Sequence, residues 1–192
     1  MPTDPNRRPS LLSRLVRRIL LALYRWKGWT LEGRRPDCDK FIILGAPHTS
    51  NWDFIFFLGA THGLGIRPNF IGKSSLFKWP MTRFMLDMGG VPVERSKSGN
   101  YVEQVAAAFA RSDDLALVIA PEGSRTFRGE WKTGFYHIAN NANVPIMMGY
   151  IDAATKEAGL ADLFHPTGNL KQDIREIRAF YNKKIGLRAE NS

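Results

Sequence analysis

The spacing of apolar residues along the chain changes several times, and each change marks an element. At the start, large apolar side chains fall at positions 11, 12, 15, 16, 19, 20 and 23. That recurrence is one face of a helix and predicts a helix over residues 11–25. Residues 2–9 are polar and proline-rich and predict an unstructured start, and residues 33–40 read as a linker. Beyond them, short apolar runs alternate with helical patterns. Strands are predicted at 41–44, 69–72, 90–94, 115–120 and 144–151, and helices at 52–62, 79–88, 101–111, 134–141 and 170–184. Short apolar strands alternating with helices predict an α/β fold, a largely parallel central sheet flanked by helices. A chain of 192 residues holds one such domain, assigned here to 37–192, with 1–36 as an appended arm.

Charge changes the picture only at the arm. The formal net charge is +9, and residues 1–36 alone carry nine Lys and Arg against Asp4 and Glu32. The predicted helix interleaves Arg14, Arg17, Arg18 and Arg25 with its aliphatics, and Trp26 and Trp29 follow. Basic residues beside a broad apolar stripe predict a helix lying in a bilayer interface, with its arginines among anionic headgroups. Docking of the same stripe on the domain is the plainer alternative. Nucleic acid is the wrong partner for this pattern, because the basicity sits on an aliphatic helix and not on a polar face with exposed aromatics. The longest uncharged run in the segment, Ile19 to Tyr24, is far short of the roughly 20 residues of a membrane span. No signal-peptide pattern is present either, so the arm predicts a protein on the cytoplasmic face of the cell membrane. Cys38 is the single cysteine, which excludes an intrachain disulfide and a cysteine-based zinc site; no metal site is predicted.

The candidate chemistry follows the predicted strands. After residues 41–44 the chain reads Gly45-Ala-Pro-His-Thr-Ser-Asn-Trp-Asp53. His48 and Asp53 would point about 140° apart on one regular helix, so they meet only if His48 lies in a turn and Asp53 in the first turn of the next helix. In that geometry Asp53 can hold one ring nitrogen as N–H and leave the other free to take a proton. Alone, the pair is equally a loop histidine and a helix-start acid. Two further strand ends carry cations: Glu94-Arg95 after Val91-Pro-Val93, and Pro121-Glu122-Gly123-Ser124-Arg125 after residues 115–120. In a parallel sheet these segments share the carboxyl edge, where α/β proteins bind ligands. Two guanidinium groups there suit a phosphate-bearing substrate. A serine-hydrolase reading has no Gly-x-Ser-x-Gly turn to support it, and no phosphate loop or dinucleotide fingerprint is present.

Together these residues resemble the glycerolipid and lysophospholipid acyltransferases, of which the 1-acylglycerol-3-phosphate acyltransferases are the best known. The resemblance spans residues 40–151 and rests on four blocks in order: His48-x4-Asp53, Gly89-Gly-Val-Pro-Val-Glu-Arg95, Pro121-Glu-Gly-Ser-Arg125 and Val144-Pro-Ile146. Pro47 stands where the family usually has Asn, and Ala120 where an aromatic is common. The resemblance implies that His48 is the general base and Asp53 its orienter. It also implies that Lys73, Arg95, Glu122, Gly123, Ser124 and Arg125 bind the acceptor.

The reaction so implied is direct transfer of a fatty acyl group from acyl-CoA or acyl carrier protein to a lyso-lipid hydroxyl, with no cofactor beyond the thioester co-substrate. The acceptor implied is 1-acylglycerol-3-phosphate, with another lyso-lipid such as lyso-ornithine lipid as the alternative and a membrane-bound thioester or lipid hydrolase as a further one. A hydroxyl ionises near pH 16 and an imidazole near 6.5, so such a base acts only as the new bond forms, a contribution of about 10²–10⁴ in rate.

Overall fold

Seven strands hydrogen-bond into one sheet, and the central one, rich in Phe, Ile and Leu, is buried from both sides. The computed structural model describes residues 11–46, 59–73, 77–93, 101–123, 131–182 and 184. In chain order the elements are α1 (Leu11–Trp26), β1 (Thr30–Glu32), β2 (Lys40–Ala46), α2 (described at 59–63), β3 (Pro68–Lys73), α3 (Thr82–Asp87) and β4 (Gly90–Val93). They continue with α4 (Tyr101–Ala110), β5 (Leu115–Ile119), α5 (Gly134–Ala142), β6 (Ile146–Asp152), β7 (Glu157–Phe164) and α6 (Leu170–Tyr181). Across the sheet the strands run β1-β7-β6-β2-β5-β3-β4. Every neighbouring pair is parallel except β6 with β7.

Alternation along β2 divides the core. Ile42, Leu44 and Ala46 face a cluster with Val105 and Phe109 of α4, Phe135, Tyr136 and Ile138 of α5, and Ile177 and Tyr181 of α6. Phe41 and Ile43 face the other way, against Tyr24 of α1, Ala60 of α2 and Ile66. Residues 41–44 are wholly buried because helices cover both faces, the condition for near-continuous apolar strands in a parallel sheet.

The α/β architecture agrees with the sequence expectation, and most elements occur where the periodicity puts them. The helix expected over 79–88 is α3 preceded by a tight turn, in which Lys78 O accepts from the N–H of Met81 and of Thr82. The helix expected over 52–62 is described only at its 59–63 end. The expectations for 2–9, 52–58 and Glu94 fall outside the described residues. Two strands carry no sequence expectation. Strand β1 is three residues long and lies inside the basic arm. Strand β7 forms a hairpin with β6, its turn held by Asp152 Oδ1 accepting from Ala154 N–H at 3.2 Å and by Lys156 at φ 55°.

The expected amphipathic helix is present as α1, and it uses its apolar arc in two ways. Tyr24 is buried against the sheet, its ring 5.7 Å from that of Trp29. Leu21 and Leu31 both press on Gly63, where a Cβ would force the Leu31 side chain to shift, so α1, β1 and the end of α2 approach closely at a glycine. On the outer side Leu11, Leu15, Ile19, Leu23 and Trp26 remain exposed. At the far edge of the sheet, β4 carries Pro92 opposite Gly72 of β3, a position where the missing N–H leaves no partner unsatisfied beyond the sheet.

Candidate active site

Strands β6, β2, β5, β3 and β4 run the same way, so their carboxyl ends form one edge. Four of these ends lead into the segments singled out by sequence. Strand β2 ends at Ala46, two residues ahead of His48; β5 ends at Ile119, three ahead of Glu122; β3 ends at Lys73; and β4 ends at Val93, two ahead of Arg95. The registers Leu44 with Ile119 and Lys73 with Val93 align the ends pairwise, and β5 lies between β2 and β3. Adjacent strands are about 4.8 Å apart, so the four departure points fall within roughly 15 Å. His48, Asp53, Arg95, Ser124 and Arg125 themselves lie outside the described residues, as does the side chain of Lys73.

Glu122 and Gly123 are described, and their turn is closely built. Gly123 has φ 64°, in the left-handed region where a side chain is strained. A Cβ there would also stand 2.8 Å from Lys132 Cδ and 3.1 Å from Lys132 Nζ. The Lys132 side chain thus lies over the Pro-Glu-Gly turn, and Lys132 N–H donates to Pro121 O at 2.8 Å. Nothing in the spacing of residues 125–134 marks this lysine, which is why sequence reasoning misses a cation at this position.

Tyr181 is the second residue that motif spacing misses. Its buried hydroxyl lies 2.6 Å from Leu44 O and 3.0 Å from Gly149 O, donating to main-chain carbonyls toward the carboxyl end of β2 and at the middle of β6. Burial, and then the neighbouring Glu122 carboxylate, push this phenol well above its usual range, so it remains protonated and a donor. One side chain therefore ties the strand that leads to His48, the strand beside it and the electrostatic field of Glu122.

Helix α6 holds Tyr181 in place from its other end. Asn169 caps it, its side chain accepting from Gln172 N–H. Asp173 in the first turn is buried, yet accepts from Tyr136 Oη at 2.8 Å and from the Thr167 hydroxyl and N–H, each at 2.7 Å. Burial alone would raise its carboxyl pKa, but these three donors outweigh it and the net shift is downward. Its own burial, and then the bond to Asp173, raise the Tyr136 phenol. At the outer end of β6, Lys184 Nζ lies 3.5 Å from Asp152 Oδ2 and 4.1 Å from the centre of the Tyr150 ring.

The edge thus carries the half-buried Glu122 carboxylate and a lysine over a glycine turn, and its strand ends lead into the segments that contain His48, Asp53, Arg95 and Arg125. Comparison with known proteins bears on that chemistry. Residues 32–151 match the family model described as Acyltransferase. Among solved structures, the 1-acyl-sn-glycerophosphate (LPA) acyltransferase PlsC from Thermotoga maritima has a similar fold, with a TM-score of 0.60, 14% identity, and coverage of 89% of this chain and 77% of that one. No curated protein matches the chain by sequence. At this identity the structural likeness establishes a shared fold.

Proposed function

Because the chain belongs to the acyltransferase family, we propose that it transfers a fatty acyl group from acyl-CoA or acyl carrier protein to the hydroxyl of a lyso-lipid, 1-acylglycerol-3-phosphate first among them. The observation that carries this reading is the alignment of four neighbouring parallel strand ends with the four chemistry-bearing segments. In the proposed mechanism Asp53 orients His48, and His48 takes the acceptor proton as its oxygen attacks the thioester carbonyl. The thiolate of the donor then leaves, taking up a proton, and the acyl ester is formed. Lys73, Arg95, Glu122, Gly123, Ser124 and Arg125 bind the acceptor headgroup. No acyl-enzyme forms, because the hydroxyl and thioester react directly once held together, and approximation supplies much of the rate.

The acceptor is membrane-borne, and α1 suits such a partner. Leu11, Leu15, Ile19, Leu23 and Trp26 form its exposed stripe, and Arg14, Arg18, Arg25 and Lys27 are also exposed. Each Lys or Arg held near an anionic surface contributes about 1 kcal/mol. Among the described residues no helix is long and apolar enough to cross a membrane. The chain is thus proposed to sit peripherally on the cytoplasmic leaflet, with residues 1–36 as the attachment arm and 37–192 as the catalytic domain.

The test offers purified protein a panel of lyso-lipids, lyso-ornithine lipid included, with each donor. We expect ester formation with 1-acylglycerol-3-phosphate, and His48→Ala to reduce it by about 10²–10⁴ while far-UV circular dichroism is unchanged. Thioester cleavage at the same rate with and without lyso-lipid would make the protein a hydrolase and overturn the proposal.

A further inference from the structure

One patch of exposed apolar surface lies off the amphipathic helix. Trp79 is 91% exposed and Met81 48% exposed, on the connection between β3 and α3. An exposed tryptophan is ordinary at the tip of a loose loop, but this turn is tightly bonded. Lys78 O accepts from Met81 N–H at 2.9 Å and from Thr82 N–H at 3.1 Å, and the Thr82 hydroxyl donates to Phe77 O at 2.8 Å. Phe77 packs inward against Gly90 at the start of β4. The turn thus half-buries one aromatic as a footing and holds the next one out in water. Lys78, exposed, and Arg83, exposed and 3.8 Å from Asp87 Oδ2, flank it. Helix α3, which begins at Thr82, packs beside α1.

We propose that Trp79 and Met81 are a second bilayer contact of this protein, made with an anionic lipid surface and separate from that of α1. Tryptophan is suited to the headgroup region, with an apolar ring and a polar N–H, and the flanking lysine and arginine match the charge of anionic lipid. The second contact has a geometric role. A helix of 16 residues lying on a bilayer is about 24 Å long and fixes the protein along that axis, but leaves it free to roll about the axis. A point of attachment off the axis removes the roll. The orientation of the sheet edge toward the lipid is then set by two contacts, one on α1 and one after β3. This inference rests on the membrane reading of α1 and goes beyond it.

The test uses the full chain and vesicles of phosphatidylglycerol and phosphatidylcholine in equal parts, with pure phosphatidylcholine as the control. Trp79→Ser is expected to weaken sedimentation with the anionic vesicles about tenfold. Vesicles with brominated acyl chains quench tryptophan that reaches the lipid, and the quenched fraction of wild-type emission should fall in Trp79→Phe, which keeps an apolar ring but loses the fluorophore. With a water-soluble short-chain acceptor, Trp79→Ser should turn over like wild type. Wild type that fails to sediment would overturn the membrane reading as a whole. Wild type that sediments while Trp79→Ser sediments equally well, or while Trp79→Phe shows the same quenched fraction, would overturn the second contact alone. Loss of turnover with the short-chain acceptor would make Trp79 a substrate contact and likewise overturn it.

Discussion

Helices α1 and α6 are both amphipathic and flank the same sheet from opposite faces, yet they are finished differently. Helix α6 buries Asp173, Ile177 and Tyr181 at successive turns, is capped by Asn169, and binds two strands through one hydroxyl. Little of its apolar surface is left unspent. Helix α1 buries Tyr24, rests Leu21 on Gly63, and leaves a row of aliphatics in water on its outer side. A helix whose only task was to complete the domain would not need that row, which under the proposed function is the face that meets the bilayer. The contrast separates a helix whose apolar face the fold uses almost fully from one whose apolar face it uses only in part.

Substitutions can break or sharpen this contrast, and we expect their effects on stability to descend in order. Tyr181→Ala removes a wholly buried ring and leaves two carbonyls without their shared donor, and should lower unfolding free energy by about 3–5 kcal/mol in urea titration. Asp173→Asn should lower it by roughly 1–3 kcal/mol at neutral pH. Because the folded pKa of Asp173 lies below its ordinary value near 4, its stabilisation is present above that value and fades as pH falls through the folded pKa. The wild type should therefore lose stability on acidification more steeply than Asp173→Asn, and parallel acid-unfolding curves would show that the three donors do not favour the carboxylate.

The smallest stability effect belongs to α1. Leu15 and Ile19 are 54% and 49% exposed, so Leu15→Ser with Ile19→Ser should change unfolding free energy by no more than about 0.5 kcal/mol. The same pair should cut binding to anionic vesicles about tenfold or more. A large loss of stability with unchanged vesicle binding would invert the contrast. Deleting the helix outright is the poorer experiment, because it removes Tyr24 from the core together with the exposed row.

The sequence made the inner strands legible because burial on both faces leaves uninterrupted apolar runs, as in Phe41-Ile-Ile-Leu44 and Leu115-Ala-Leu-Val-Ile119. It did not make β1 or β7 legible. Three residues with one apolar side chain carry no period, and Glu157-Ala-Gly-Leu-Ala-Asp-Leu-Phe164 has no β-branched residue and pairs across a register shift between Met147 and Gly149. The candidate site divides the same way. Motif blocks at strand ends could be read from composition and order, whereas Lys132 and Tyr181 reach the edge through tertiary contact alone. A tyrosine on an amphipathic helix reads as core, and only the fold shows that its hydroxyl meets Leu44, four residues ahead of His48.

Pro92 on the outermost strand bears on a problem of crowding. A protein gathered onto a membrane is concentrated in two dimensions, and molecules oriented alike present their sheet edges to one another at the same height. An open edge in that setting is a template for strand addition between neighbours. Here one edge strand carries a proline in mid-strand, and the opposite one, β1, is only three residues long. Neither offers a run of free N–H and C=O groups on which a neighbour could build. Both edges of the described sheet are thus poor templates for lateral growth, a property that would keep neighbouring molecules separate if the protein gathers on a membrane as proposed.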